Sequence, residues 1–143
     1  MGLTIRDAQG ADAEVIADLL GQLGYPAEPG AVRSRLERLV IVGDRLVVAE
    51  LDERVVGLAH LHVSPTIEHE RPAAKLGALV VDDGHRGKGV GRALAEAVEA
   101  EARARGCGLF FVTTAERRDD AHAFYESIGL ERTGRRYGRT LSQ

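Results

Sequence analysis

A glycine-rich turn with three basic side chains is the stretch of the sequence that points most directly to chemistry. The turn runs from Asp82 to Arg92 and joins a strand-like Val-Val pair to a helix with periodic apolar residues. Such a turn leaves unpaired backbone N–H groups at a helix N-terminus, where the helix dipole favours an anion. Glycines let the backbone approach phosphate oxygens closely, and Arg86, Lys88 and Arg92 add positive charge. The turn therefore predicts a polyphosphate ligand.

Two common phosphate-binding loops do not fit this turn. A P-loop requires Lys and then Ser or Thr after its spacer, whereas Gly89 is followed by Val90 and Gly91. The dinucleotide-binding fingerprint requires a third glycine, which is absent in either possible register. A different pattern, [QR]-x-x-G-x-[GA], is satisfied by Arg86, Gly89 and Gly91.

A second motif, Ala121 to Leu130, follows about 35 residues after the turn and has the form A-x-x-F-Y-x-x-x-G. Phe124 and Ile128 form an i, i+4 apolar pair directed to the core, and Gly129 is expected to end the helix. Tyr125 points to a different side of the same helix. By itself, a helical Phe-Tyr pair is more often part of a core than of an active site.

The hydrophobic pattern predicts an alternation of short strands and helices that would position these motifs. Two strand-like runs are joined by a tight turn at 52–54, and at least one strand–helix–strand crossover follows. We therefore expect a mixed α/β sheet with helices on both faces and not a doubly wound sheet. The predicted strands are Leu3–Arg6, Arg45–Leu51, Val55–Val63, Lys75–Val81, Leu109–Thr114 (a buried strand) and a last strand or hairpin over Glu131–Thr140. The predicted helices begin at Asp12 and Pro29 and span Val90–Arg105 and Asp120–Ile128.

Composition excludes several classes of protein. The single cysteine, Cys107, rules out an internal disulfide framework and a thiolate zinc site. A net charge of −3 argues against a nucleic-acid partner, whose binding face is normally basic. No apolar run has the length of a membrane span, and acids within the first apolar stretch argue against a signal peptide, so a cytoplasmic location is expected.

Taken together, the two motifs resemble the signatures of the GNAT superfamily of N-acetyltransferases, and the order of elements resembles that family's minimal fold over nearly the whole chain. The resemblance implies one GNAT domain over residues 1–143, with a mostly antiparallel mixed sheet of 6–7 strands and about four helices on both faces. It also implies acetyl-CoA as cosubstrate, no metal, and direct attack of an amine on the thioester. The residues implied in acetyl-CoA binding are Leu79, Val80, Val81, Arg86, Gly87, Lys88, Gly89, Val90, Gly91 and Arg92.

The resemblance assigns a proton donor to the reaction but leaves the base open. Tyr125 would protonate the departing thiolate, because a phenol of pKa about 10 can donate to a thiolate of pKa about 8.5. A backbone N–H near Val81 would polarise the thioester carbonyl. Family members often supply a glutamate at the positions that Lys75 and Thr113 occupy here, and neither residue can act as that base. The remaining candidates are base action through water and the side chains Glu68, His69, Glu70, His60 and His62, the last two sharing one strand face.

The acceptor is the least determined part of the reaction. The sequence from Arg118 to Tyr125 resembles the corresponding stretch of small-molecule acetyltransferases, such as the aminoglycoside and aminoalkylphosphonate enzymes. Many family members have asparagine at the position of Arg118. A small-molecule amine is the preferred substrate, and a protein N-terminus or lysine is the first alternative. A non-catalytic acyl-CoA-binding module is the second. Homodimers are common in the resembled family, so a homodimer is a weak expectation.

Overall fold

The strands and helices follow one another in the predicted order. The computed structural model describes residues 2–114 and 118–142. They form two compact units, one ending at Phe111 and the other starting at Val112. The strands are β1 (Leu3–Asp7), β2 (Arg45–Leu51), β3 (Arg54–Ser64), β4 (Ala73–Val81) and β5 (Leu109–Val112). The helices are α1 (Ala13–Leu23), α2 (Pro29–Ile41), α3 (Val90–Ala104) and α4 (Asp119–Ser127), with short 3₁₀ turns at Gly10–Asp12 and Asp83–His85.

The sheet has five strands in the order β1-β2-β3-β4-β5. Neighbouring strands from β1 to β4 are antiparallel. The β2–β3 hairpin turns through Asp52 and Glu53, both with positive φ (50° and 66°), as in the two-residue turns that match strand twist. The crossover from β4 to β5 runs through α3, the kind of connection that joins parallel neighbours. The predicted mixed α/β architecture is therefore confirmed.

The two faces of the sheet are covered by different helices of the first unit. On one face, α1 and α2 bury a cluster against β2, β3 and β4, made of Ala13, Ile16, Leu19, Val32, Val48, Leu58 and Val80. On the other face, α3 approaches Gly57, whose position on β3 alternates with that of Leu58. A Cβ at Gly57 would lie 3.0 Å from Leu94 Cδ1, 3.1 Å from the Val80 carbonyl oxygen and 3.3 Å from Val90 Cγ1. Glycine therefore allows the first turns of α3 to lie directly on the sheet.

Two details of the predicted sheet are wrong. The described residues contain five strands and not six or seven, because Glu131–Thr140 forms no strand or hairpin. That segment contains four arginines and two glycines with one large apolar residue, Tyr137, so it has little apolar surface to bury on a sheet. The strand β5 is half-buried and not buried, with Leu109 49% exposed, because β5 lies at the edge of the sheet. Among the described residues, no helix is both long enough and apolar enough to cross a bilayer.

We predict that Gly57→Ala destabilises the fold by roughly 1–2 kcal/mol, because the added methyl overpacks the contact between α3 and the sheet. The measurement is the free energy of unfolding in a denaturant titration. Gly21→Ala is the matched control, because Gly21 lies inside α1 with no atom within 4 Å of its added Cβ. That control should gain about 0.5–1 kcal/mol from helix propensity. Equal effects of the two substitutions would contradict the packing argument.

Candidate functional site

The glycine-rich turn presents a row of unpaired backbone donors at the start of α3. The helix begins at Val90 with Gly89 as N-cap residue, and both Gly87 and Gly89 have positive φ (78° and 84°). No side chain caps this terminus, and the first turn of the helix contains no acid. Within residues 2–114 and 118–142, no hydrogen bond uses the backbone N–H groups of residues 87–91. The turn thus has the free donors and the helix dipole that an anion requires.

The basic side chains of the turn have different surroundings. Arg86 is tied to the strand end, since its Nε donates to the Val81 carbonyl oxygen (3.3 Å) and its guanidinium pairs with Asp83 (3.1 Å). Lys88 and Arg92 are exposed on either side of the first helical residue. The positive charge predicted around the turn is therefore present at its surface.

Asp82 and Gln22 anchor the entry to the turn. Gln22 of α1 donates from Nε2 to Asp82 Oδ1 (2.9 Å) and accepts from the Asp83 backbone N–H (3.0 Å). The other oxygen of Asp82 contacts His85 Nδ1 (2.9 Å) and the Gly84 N–H (3.2 Å). The Gln22 hydrogen bond, followed by that of His85, holds the pKa of Asp82 below its ordinary value. Gln22 is not among the residues predicted from sequence, because no local pattern links it to a turn 60 residues away.

An irregularity in β4 lies farther back along the strand that leads into the turn. Ala59 of β3 pairs with Leu79, whereas Leu61 pairs with Leu76, so β4 has one extra residue in this interval. The extra residue falls at Gly77–Ala78, opposite His60. A bulge of this kind leaves one residue without its regular ladder partner and bends the strand. The disruption lies four residues before Val81, about 13 Å along a strand.

Two histidines of β3 converge on one buried carboxylate beside this bulge. His60 Nε2 lies 2.8 Å from Asp44 Oδ2, and His62 Nδ1 lies 2.7 Å from Asp44 Oδ1. The Asp44 side chain is 4% exposed, against 23% for His60 and 44% for His62. The predicted shared face of the two histidines is confirmed by these contacts. Asp44 is not among the residues predicted from sequence, since an acid after a glycine at a helix end resembles an ordinary turn residue.

The other base candidates lie apart from these contacts. Glu68, His69 and Glu70 are exposed in the segment between β3 and β4. Glu68 has no hydrogen bond or ion pair with any residue that the structure describes. Lys75 pairs directly with His62 across the two strands. In the described part of the chain, no group of three or more His, Cys, Asp or Glu residues is arranged to hold a metal ion.

The second unit carries Tyr125 on α4. Its ring packs edge-on against Phe124, with centroids 5.6 Å apart. Burial raises the pKa of Tyr125, an effect that the positive charge of Arg118 opposes. The phenol therefore remains protonated at neutral pH and can donate a proton. The predicted end of the helix is confirmed, because Gly129 follows α4 with φ 94°. Phe124 and Ile128 are partly buried.

Comparison with known proteins gives consistent matches. The model of the acetyltransferase (GNAT) family matches residues 13–130. Human N-acetyltransferase 8B is 36% identical over 92 residues, which are 63% of this chain and 40% of that protein. Aminoalkylphosphonate N-acetyltransferase of Salmonella typhimurium is 33% identical over 87 residues, which are 61% of this chain and 56% of that protein. The chain thus spans about half the length of the curated relatives it matches.

A solved structure shows the same fold. The aminoglycoside N-acetyltransferase AAC(6')-Iy in complex with CoA has a TM-score of 0.85 at 19% identity, over 98% of this chain and 95% of that one. The family model covers both the glycine-rich turn and the motif around Tyr125. From its sequence match, supported by this fold, the chain belongs to the acetyltransferase (GNAT) family.

Proposed function

We propose that this protein is an N-acetyltransferase that transfers the acetyl group of acetyl-CoA to a small-molecule amine. The observation that carries the proposal is the row of unpartnered N–H groups at residues 87–91, next to exposed basic side chains at the end of β4. That geometry suits a pyrophosphate, and the fold neighbour AAC(6')-Iy was solved in complex with CoA.

Acetyl-CoA fits the line that runs from the turn back along β4. The backbone groups from Gly87 to Arg92 would hold the pyrophosphate, with Arg86 and Lys88 supplying charge. Leu79, Val80 and Val81 would present backbone groups to the pantetheine arm. The thioester would then lie toward the bulge at Gly77–Ala78, where the register shift interrupts the ladder. A backbone N–H left there without its ladder partner would polarise the carbonyl. Holding a large cosubstrate along fixed backbone fixes the reacting carbon in place, which lowers the entropic part of the barrier.

The reaction follows from this placement. A neutral amine attacks the thioester carbonyl carbon, the C–N bond forms, and the C–S bond breaks to release a thiolate. Tyr125 would donate its proton to that thiolate. The phenol is protonated at neutral pH, so a proton is present for the thiolate as negative charge develops on sulfur, and the burial that raises its pKa makes it a weaker acid than a free tyrosine. Glu68 is disfavoured as the base by its exposure and by the lack of any contact that would orient it among the described residues.

A small amine is favoured as acceptor by the relatives and by the shape of the first unit. Aminoalkylphosphonate and aminoglycoside N-acetyltransferases act, by their names, on small amines. An open groove of about 570 Å³ lies between the C-terminal part of α2, the ends of β1 and α3, and the start of β2. Three acids line it, namely Asp7, Asp44 and Glu101, together with Arg45 and Arg105. The volume is that of a small-molecule site. Its acids are already paired, Asp7 and Glu101 with arginines and Asp44 with two histidines, so the volume and not the charge of the groove supports a small acceptor.

The function is tested by thiol release from acetyl-CoA in the presence of different acceptors. The panel contains 2-aminoethylphosphonate, an aminoglycoside, a peptide with a free N-terminal alanine and a peptide with an internal lysine. We expect turnover with at least one of the small amines. Turnover restricted to the peptides would overturn the small-amine assignment, and tight acetyl-CoA binding without turnover of any acceptor would indicate a regulatory module.

We predict that Gly89→Ala raises the KM for acetyl-CoA roughly tenfold or more, because a side chain at positive φ displaces N–H groups that face the pyrophosphate. Gly106→Ala is the matched control, since Gly106 follows the other end of α3 with a similar φ of 79°. Both substitutions carry the same backbone strain of about 1–2 kcal/mol. Steady-state kinetics measure the effect on acetyl-CoA binding, and unfolding measurements give the loss of stability from backbone strain. An unchanged KM in the Gly89 variant would remove the turn from cosubstrate binding.

We predict that Tyr125→Phe lowers kcat by about 10²–10⁴-fold and leaves the KM for acetyl-CoA nearly unchanged, because it removes a proton donor and no binding contact. The measurement is steady-state kinetics with the best acceptor of the panel. Tyr137→Phe serves as control, since Tyr137 is 87% exposed in the C-terminal segment. Wild-type turnover in the Tyr125 variant would exclude this phenol from the mechanism.

A further inference from the structure

We propose that His62, oriented by Asp44, accepts the proton that the acceptor ammonium must lose before it attacks. The inference rests on the proposed function and names a base for the same site. In the first unit, the nearly buried carboxylate of Asp44 is shared by the imidazoles of His60 and His62.

The shared carboxylate fixes the tautomer of each ring. An ionised carboxylate only accepts hydrogen bonds, so the ring nitrogen that faces it must carry the hydrogen. His60 therefore donates from Nε2 and His62 donates from Nδ1. The remaining nitrogens, His60 Nδ1 and His62 Nε2, are left with free lone pairs. Each ring is thus prepared to accept a proton at a defined atom.

The lone pairs of the two rings differ in the space that an acceptor has to approach them. A Cβ placed on Gly77 would come within 2.5 Å of His60 Nδ1, so this nitrogen lies against the backbone of β4. An acceptor has no space to approach it from that side. The His62 side chain is 44% exposed and contacts Asp44 through Nδ1, so Nε2 is the ring nitrogen that remains for an acceptor. The charged groups that face His62 are Asp44, from the α2–β2 turn, and Lys75, directly opposite on β4.

Asp44 is itself held rigidly in place. Its backbone N–H donates to the Leu39 carbonyl oxygen (2.9 Å) at the end of α2. The preceding Gly43 turns with φ 84°, donates to Val40 (3.1 Å) and accepts from Arg105 of α3 (2.7 Å). Both helices therefore fix the turn that carries the carboxylate. Asp44 is also one of the residues that line the open groove proposed for the amine, so the His62 ring is one hydrogen bond away from a residue of that groove.

The proton balance of the step is complete. The ammonium gives one proton to His62 Nε2, which forms an imidazolium paired with Asp44. The neutral amine then attacks the thioester carbon, and the C–N bond forms to give a tetrahedral intermediate. Its collapse breaks the C–S bond, and Tyr125 protonates the departing thiolate. The second proton on the nitrogen passes through solvent to the Tyr125 phenolate and restores the phenol. His62 returns its proton to solvent. Asp44 acts as a positioning residue because it touches the ring and not the acceptor.

The test compares His62→Gln with His69→Gln, a matched control on the exposed segment before β4. The probe is the small amine that wild type acetylates fastest, assayed from pH 7 up to the pKa of that amine. We expect His62→Gln to reduce kcat/KM roughly 100-fold or more at pH 7. The defect should shrink steadily as the amine becomes neutral in solution, whereas His69→Gln should match wild type throughout. A defect that stays constant with pH, or no defect, would overturn the base assignment.

A second readout examines the wild-type rings and is independent of turnover. Long-range ¹H–¹⁵N spectra should show His62 protonated at Nδ1, the less common tautomer of free imidazole, and His60 protonated at Nε2. In the Asp44→Asn variant, His62 should no longer be held in the Nδ1-protonated tautomer. In wild type, a His62 ring protonated at Nε2 would overturn the proposal. Failure of wild type to acetylate any amine would overturn the proposed function with it, whereas normal turnover with an unaffected His62 variant would overturn only the base.

Discussion

The site depends on how closely α3 approaches the sheet at Gly57. Because this residue has no side chain, Val90 and Leu94 can lie directly over β3. Gly57 is also the register partner of Val81, the last residue of β4. The start of the helix is therefore held next to the end of the strand, and the chain between them must turn in a small space. The positive φ of Gly87 and Gly89 allows the chain to turn in this space, and a row of backbone donors is left unpaired.

Features that depend on neighbours along the chain could be predicted from the sequence. Helix α3 begins and ends close to its predicted bounds, because glycines flank it and its apolar residues repeat at helical spacing. The hairpin between β2 and β3 follows from two alternating runs with a short polar turn. The order of elements, the mixed sheet and the family follow from the same local patterns. Prediction fails at Glu131–Thr140, for which a last strand or hairpin was expected, because the residues there are too charged and too rich in glycine to be buried on a sheet.

Features that depend on contacts between distant residues could not be predicted. The period of β3 places His60 and His62 on one face, but nothing in the sequence identifies Asp44 as their common partner. The bulge in β4 depends on the register with β3, and a one-residue shift in register cannot be predicted from the composition of the strand. The exposure of Glu68 depends on the tertiary placement of the segment between β3 and β4, which no local pattern specifies. Local patterns thus identify the family and the anion-binding turn, whereas the orientation of the candidate catalytic side chains is a tertiary property.

The hydrogen bonds of Gln22 have a consequence for how the glycine-rich turn responds to a movement of α1. They join the end of α1 to the first residues of the glycine-rich turn, so a displacement of this helix changes the turn. By thermodynamic linkage, any compound that prefers one position of α1 alters the affinity of the turn for an anion, and the anion alters the affinity for that compound by the same factor. One glutamine therefore couples the position of α1 to the affinity of the glycine-rich turn for an anion.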